Sequence, residues 1–388
     1  MTASRILVVD DNEANRDMLS RRLARHGHAT VTASGGREAL ERLGAEAFDL
    51  VLLDIMMPDM NGYEVLEQLK GDPVLRHIPV IMITAMTEMD SIVRCIEMGA
   101  EDHLPKPFNA TLLKARVDAS LAKKRLHDSE QRHAQALERD LEIGRNIQAG
   151  FLPESLPPVA GYDIAAHFQP ARQVAGDFYD VFTLGDTGRI ALVVSDVCDK
   201  GVGAALFMAV FRSLLRVLLR ESYAIAPGRT DAEHIPHAIR VLSDYNAHTH
   251  SSANMFATVF FAVLDPSTNG LTYVNAGHDA PAILRAGTVL QRLEPTGPAV
   301  GLLADLTFAA AHVVLQPGDT LLAFTDGVSD ARGSDGTVYG EPRIFGATRA
   351  ARSARSIIDA IDADLSAHTM DAEPFDDITL LAVRRLEP

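Results

Sequence analysis

The sequence predicts a doubly wound α/β domain with a five-stranded parallel sheet, a helical linker of coiled-coil character, and an α+β domain built as a β-sandwich. Three observations carry that expectation. Residues 5 to about 120 alternate apolar strand patterns with amphipathic helix patterns five times, as parallel β–α units do. Residues 121–150 are charged, helix-favouring and free of proline. Beyond residue 160 the apolar runs are β-branched, and the helical stretches are grouped between them. At 388 residues the chain exceeds one ordinary domain. The expected division is 1–120, a linker 121–150, and 151–388.

In order, RILVVDD reads as a buried strand and EANRDMLSRRLARHG as an amphipathic helix. ATVTAS is a strand and GREALERLG a helix. FDLVLLDIMMPDM is an apolar strand ending in carboxylates, followed by the helix GYEVLEQLK. PVIMITA and SIVRCIEMG form the fourth pair. DHLPKPF is a short strand running into a turn, and NATLLKARVDASL is the last helix of the domain. In the linker, Leu137, Leu141, Gly144 and Gln148 share a helix face, which suits either a coiled coil or a solvated spacer. FLPESLPP stops the helix with prolines. In the last domain RIALVVSDV, MFATVFFAVLD, GLTYVNAGH, TLLAFTDG and ITLLAVRRL are strands. Two long helices, GAALFMAVFRSLLRVLLRES and EHIPHAIRVLSDYNAHT, are inserted among them.

Composition removes several classes of function. Net charge is -16, against a nucleic-acid surface, which needs clustered Lys and Arg. No apolar run reaches the roughly 18 residues of a membrane span, and MTASRILVVDD lacks the blocks of a secretory signal, so no membrane partner is expected. Two distant cysteines, Cys95 and Cys198, make neither a disulfide framework nor a zinc site, and a reducing cytoplasm fits.

Two sets of carboxylates remain. Asp10 and Asp11 end the first strand, Asp54 the third and Thr84 the fourth, and Lys106 follows the fifth. A doubly wound sheet brings all five to one edge. Three carboxylates there form a hard-oxygen site suited to Mg²⁺, and a lysine with a hydroxyl can grip a phosphoryl group on Asp54. LVVDDN, LLDIMMPDMNG, ITA and PKP resemble the receiver domain of bacterial two-component response regulators across this whole segment. The resemblance implies that Asp54 accepts a phosphoryl group from a histidine kinase. It also implies that Asp10, Asp11, Asp54 and the Met56 carbonyl hold Mg²⁺, and that Thr84 and Lys106 bind the phosphoryl oxygens. His103 stands where that family usually carries Tyr or Phe.

Asp177 (VAGDFYD), Asp196 (VVSDVCDKGVG), Asp326 (FTDGVSD) and Asp376 (FDDITLL) each lie at or near a strand end. If they converge, their mutual repulsion requires cations, and all-oxygen ligation favours Mg²⁺ or Mn²⁺ over zinc. A pair of such ions can direct a water at phosphorus. Singly, each motif has a plainer reading: Asp326–Gly327 as ordinary turn residues, Asp376 as a turn cap. GVGAAL lacks the third glycine of a dinucleotide loop. His278 reads as structural rather than catalytic, Cys198 as a small turn residue, and the AHTH histidines 248 and 250 as an exposed helix end.

Taken together, IQAGFLPESLP, VAGDFYD, VSDVCDKGVGAALFMA, NMFATVFFAVLD, YVNAGHDAPAIL, GPAVGLL, LLAFTDGVSDAR and FDDITLLAV resemble the metal-dependent Ser/Thr protein phosphatase (PPM) family, in its bacterial SpoIIE-like branch. They cover about residues 147–384 in order. The resemblance implies two Mn²⁺ or Mg²⁺ ions, with Asp196 bridging both and the Val197 carbonyl ligating one. Asp326 and Asp376 complete the site, Asp177 binds metal directly or through water, and Asp377 stands behind the ligands. It further implies hydrolysis of phosphoserine or phosphothreonine on an anti-sigma-factor antagonist. The expected whole is a receiver-controlled phosphatase, a homodimer through receiver and linker helix. The rival is a non-catalytic adaptor that binds a sigma-factor-pathway partner through the phosphatase-like domain.

Overall fold

The computed structural model describes residues 3–84, 89–249, 255–370 and 375–387, with 89–92 as backbone only. The chain divides into two compact units, Met1–Leu137 and Glu138–Pro388.

The first unit runs β1 (Arg5–Val9), α1 (Glu13–Arg25), β2 (Ala29–Ala33), α2 (Gly36–Ala45), β3 (Leu50–Asp54), α3 (Gly62–Gly71), β4 (Val80–Thr84), α4 (Met89–Glu97), β5 (Asp102–Pro105) and the larger part of α5 (Ala110–Ala149), whose residues from Glu138 belong to the second unit. All pairings are parallel, in the order β2-β1-β3-β4-β5. β3 and β4 are buried along their whole length, as strands covered on both faces must be. Asn12 caps α1 by accepting from the Ala14 and Asn15 amides, and Asn61 forms a capping box with Glu64 on α3. The third strand stops at Asp54 rather than running through IMMPDM. Pro58 has no amide to continue a ladder, and Asp59 turns the chain at φ 66°. The last helix of the unit and the expected linker are one 40-residue helix, α5. Its start buries Leu113, Val117 and Leu121 against β1, β3, β4 and β5.

The second unit continues β6 (Tyr162–Gln169), β7 (Phe178–Thr183), β8 (Ile190–Val197), α6 (Val202–Ile225), α7 (Asp231–Thr249), β9 (Ala257–Asp265), β10 (Gly270–Ala276), β11 (Ala282–Arg285), β12 (Thr288–Arg292), β13 (Ala311–Val314), β14 (Asp319–Phe324), α8 (Asp326–Ser329), α9 (Gly340–Ala347), α10 (Ala354–Thr369) and β15 (Ile378–Arg385). Two five-stranded antiparallel sheets form, β13-β10-β9-β8-β7 and β12-β11-β14-β15-β6. Leu192, Val194, Phe260 and Ala262 of the first sheet pack on Leu321, Ala323, Leu381 and Val383 of the second. The outer face of the first sheet is covered by α6 and α7 through Phe207, Phe211, Leu215, Ile235 and Ile239. The outer face of the second is covered by α10 through Ile357, Ile358, Ile361 and Leu365. The sandwich is therefore sheathed in helices on both sides.

One expectation needs correction. α6 is long and apolar enough by composition to cross a membrane. Here its apolar stripe is core: Met208, Phe211, Leu215 and Leu219 are buried, and Arg212 and Arg216 on the same helix pair with the buried Asp180 of β7.

Candidate metal centres

In the first unit, β1 and β3 deliver Asp10 and Asp54 side by side at one sheet edge. Asp10, Asp11 and Asp54 each offer a carboxylate oxygen within 4.8 Å of the others, the one such cluster of three among the described residues. Asp10 and Asp54 are buried, while Asp11 is exposed. Lys106 donates from Nζ to Asp54 Oδ2 at 2.9 Å and to Asp10 Oδ2 at 3.0 Å. Burial pushes the Asp54 carboxyl up, and the Lys106 ammonium pulls it partly back. Thr84 is buried at the end of β4, and the Met56 side chain is exposed beside the edge. Asn15 escaped the sequence reading. Its Nδ2 donates to both Asp10 oxygens at 3.1 Å, and the Asn12 amide donates to Oδ1 at 2.9 Å, which fixes the Asp10 rotamer. His103 adjoins Asp102, which pairs with Arg116.

In the second unit, the four aspartates come from one end of the two sheets. Asp177 immediately precedes β7, and Asp196 is the penultimate residue of β8, its antiparallel neighbour. Asp326 follows β14 and Asp376 precedes β15, which again are antiparallel neighbours. Asp177 is 3% exposed and accepts from Thr379 Oγ1 of β15 at 3.0 Å, which ties one sheet to the other. Burial first and the Asp196 charge second hold the Asp177 carboxyl well above the usual carboxylate range. Burial also raises Asp196; a hydrogen bond with Asp177 pulls it partly back, and the charges of Asp376, Asp377 and Asp279 add to the rise. Asp326 is pushed up to about 6 by desolvation, Asp196 and Asp376. Carboxylates that raise one another in this way form an oxygen-rich, cation-seeking end of the sandwich, and the residues fit divalent metals.

Two glycines make the site possible. A Cβ on Gly327 would lie 2.0 Å from the Asp377 carbonyl oxygen, so glycine after Asp326 is required by the close approach of the start of α8 to the segment that enters β15. A Cβ on Gly176 would meet the Val197 carbonyl oxygen at 3.0 Å, and that carbonyl thus faces the loop carrying Asp177.

The supports behind these residues were only partly legible. Asp377 accepts from the Ala171 amide through Oδ1 and from the Gly176 amide through Oδ2, both at 2.8 Å. Gln148, in the last turn of α5, donates to the Ala175 carbonyl at 2.6 Å and accepts from the Ala175 amide at 2.9 Å. Gly144 faces Val174 from the same helix. The Gly144–Gln148 face thus packs on the Asp177 loop, while Leu137 and Ile147 are exposed. Gln148→Leu should leave both Ala175 groups buried and unpaired. About 2 kcal/mol of stability should be lost in denaturant melts, together with weaker Mn²⁺ binding.

Asp279 was missed beside His278 in NAGHDAP. Burial raises it, and its charge raises Asp196 and Asp326. His278 is lowered to about 4 by burial and sits 2.9 Å through Nδ1 from Thr258 Oγ1. Near neutrality it is therefore the uncharged imidazole, with one N–H and one acceptor nitrogen. Cys198 Sγ accepts from the Phe256 amide, and burial pushes its thiol up. His248 contacts the Asp244 carbonyl, and residue 250 lies outside the described residues.

Residues 186–386, more than half of the chain, match the Stage II sporulation protein E (SpoIIE) family, and residues 6–118 match the response regulator receiver domain. The chain belongs to the SpoIIE family and carries an N-terminal receiver domain. It is 43% identical over 266 residues to Protein IcfG of Synechocystis, covering 63% of this chain and 41% of that protein. It is 40% identical over 141 residues to Response regulator PleD of Caulobacter vibrioides, covering 36% of this chain and 31% of that one. The chain thus spans less than half the length of these relatives. Among solved structures it is similar to the SiaA-PP2C domain of Pseudomonas aeruginosa (TM-score 0.53, 22% identity, 65% of this chain and 98% of that one), a likeness of fold.

Proposed function

We propose that the chain is a cytoplasmic, metal-dependent protein phosphatase that removes phosphate from phosphoserine or phosphothreonine under control of its receiver. The observation that carries this reading is the convergence of Asp177, Asp196, Asp326 and Asp376 at one end of both sheets, each beside carboxylates that raise its neighbours. Asp196 and the Val197 carbonyl, with Asp326, Asp376 and Asp177, would hold two Mn²⁺ or Mg²⁺ ions. Bound there, the ions would supply an activated water for in-line attack on phosphorus and neutralise the charge that develops. The protein's own part is positional. Thr379 orients Asp177, Asp377 and Gln148 hold its loop, and neutral His278 joins the buried wall beneath. The substrate in this reading is a phosphorylated anti-sigma-factor antagonist, on the resemblance to the SpoIIE-like branch.

Signal enters at Asp54, phosphorylated by a histidine kinase with Mg²⁺ held by Asp10, Asp11, Asp54 and the Met56 carbonyl. Thr84 and Lys106 then grip the phosphoryl oxygens. Helix α5 is the covalent route onward, because its first turns sit in the receiver core and its last turn holds Ala175. Exposed Leu126, Leu137, Ile143 and Ile147 give it an apolar surface for pairing with a second copy.

Mn²⁺-dependent hydrolysis of a small phosphate ester, with and without beryllofluoride on Asp54, tests both parts. The expected result is metal-dependent turnover whose rate differs between the two states, and whose difference vanishes in Asp54→Asn. Equal rates would refute receiver control. Absence of turnover on the ester and on a phosphorylated antagonist alike would return the chain to the adaptor class.

A further inference from the structure

Asp376 is already neutralised by the protein itself. Lys200 Nζ lies 2.7 Å from Asp376 Oδ2, donates to the Phe375 carbonyl at 2.8 Å, and sits 4.3 Å from the centroid of the Phe375 ring. The other carboxylate oxygen, Oδ1, accepts from the Asp377 amide at 2.9 Å. Both oxygens are therefore engaged, and one ammonium group is held by a carboxylate, a carbonyl and a π face together. Lys200 belongs to the turn that leaves β8 just after Asp196 and Val197, where Asp199 takes φ 74° and Gly201 φ 87° before α6 begins. The pair thus ties the metal-bearing end of the first sheet to that of the second. The side chains of Lys200 and Asp376 are 32% and 29% exposed, so the contact is reachable by solvent and can exchange.

The geometry points to Lys200 as a tethered cation that competes with metal for Asp376, an inference that rests on the two-metal reading above. A carboxylate paired with an ammonium offers a divalent ion less net charge, and an ion drawing on Asp376 must first displace Lys200. Loading of the Asp326–Asp376 side is then coupled to release of the turn that starts α6. The same lysine keeps the carboxylate end from bearing its full repulsion before metal arrives.

The test is Mn²⁺ titration by calorimetry on the full chain, with the receiver site silenced by Asp11→Asn and Asp54→Asn so that the isotherm reports the second unit. Lys200→Met keeps the aliphatic stem over Phe375 and removes the charge. It should tighten Mn²⁺ about three- to fivefold, the range a partly exposed ion pair can supply, while Lys200→Arg stays near the parent. In an Asp376→Asn background Lys200→Met should change nothing. Unchanged or weaker binding in Lys200→Met, with the parent binding normally, overturns the inference and leaves the metal reading intact. No Mn²⁺ binding by the parent overturns both. Circular dichroism melts in chelator accompany the titration, so that a misfolded Lys200→Met is recognised and Lys200→Gln takes its place.

Discussion

Asp196→Asn should abolish the proposed Mn²⁺-dependent phosphoester hydrolysis and, in the same protein, should raise thermal stability in the absence of metal. Loss of activity should exceed about 100-fold, above what changes behind the ligands of a metal site cost. The side chain of Asn has the same shape, but one ligand oxygen becomes an amide nitrogen and a negative charge is lost. Stability moves the other way because the substitution removes the largest charge acting on Asp177, which is buried at 3% exposure, while Asn still offers a carbonyl oxygen to the hydrogen bond the two side chains share. Active sites commonly store this kind of conflict.

The pH dependence follows from the same residues. Raised carboxyls bind more protons in the folded than in the unfolded chain. Metal-free stability therefore falls as pH rises from the unfolded value through the folded one, for Asp326 from 3.8 to about 6. Melts in chelator at pH 4.5 and pH 7 should show wild type losing stability across the interval and Asp196→Asn losing less. With the receiver site silenced by Asp11→Asn and Asp54→Asn, added Mn²⁺ should raise the midpoint of the Asp196 protein and leave the Asp196→Asn variant unmoved. A variant that is less stable than wild type in chelator at pH 7 would mean that the four carboxylates do not repel one another as their placement requires.

The receiver was legible nearly element by element, because parallel strands buried on both faces leave continuous apolar runs such as LVLLD and VIMIT, and because their ends carry the chemistry. The sandwich was legible only in its central strands. β6 (YDIAAHFQ) is an outer strand with a half-exposed pattern, and β12 (TVLQR) is exposed almost throughout, so neither has the apolar contrast that marks β8 or β9. Helix α10 was missed although Ile357, Ile358, Ile361 and Leu365 form a helical stripe behind the Ser353 cap. Its alanines and aspartates dilute that stripe. The aspartates were visible because each borders an apolar run, before it or after it. Lys200, Gln148 and Asp279 were not, since what each one touches lies far away in sequence or is set by sheet register.

Asp377→Asn should be more damaging to the fold than any of the neighbouring aspartate substitutions, despite being isosteric. Asp377 is 7% exposed, and its two oxygens each accept a backbone amide, Ala171 and Gly176, from the loop that delivers Asp177. Asn can present one carbonyl oxygen; its NH₂ must then face the second amide, donor against donor. One buried N–H is left without an acceptor and a second polar group is buried against it, which costs about 2–4 kcal/mol. Burial raises the Asp377 carboxyl, and hydrogen bonds from the Ala171, Gly176 and Asp177 backbone pull it partly back. Chemical denaturation of Asp377→Asn should show that loss in chelator, where Asp196→Asn shows a gain. This opposite sign separates the two roles, because a carboxylate poised for metal is relieved by neutralisation, whereas one committed to backbone amides is not. If Asp377→Asn instead stabilises the metal-free protein, its carboxylate belongs with the four that repel, and the loop before β7 is held by Gln148 alone.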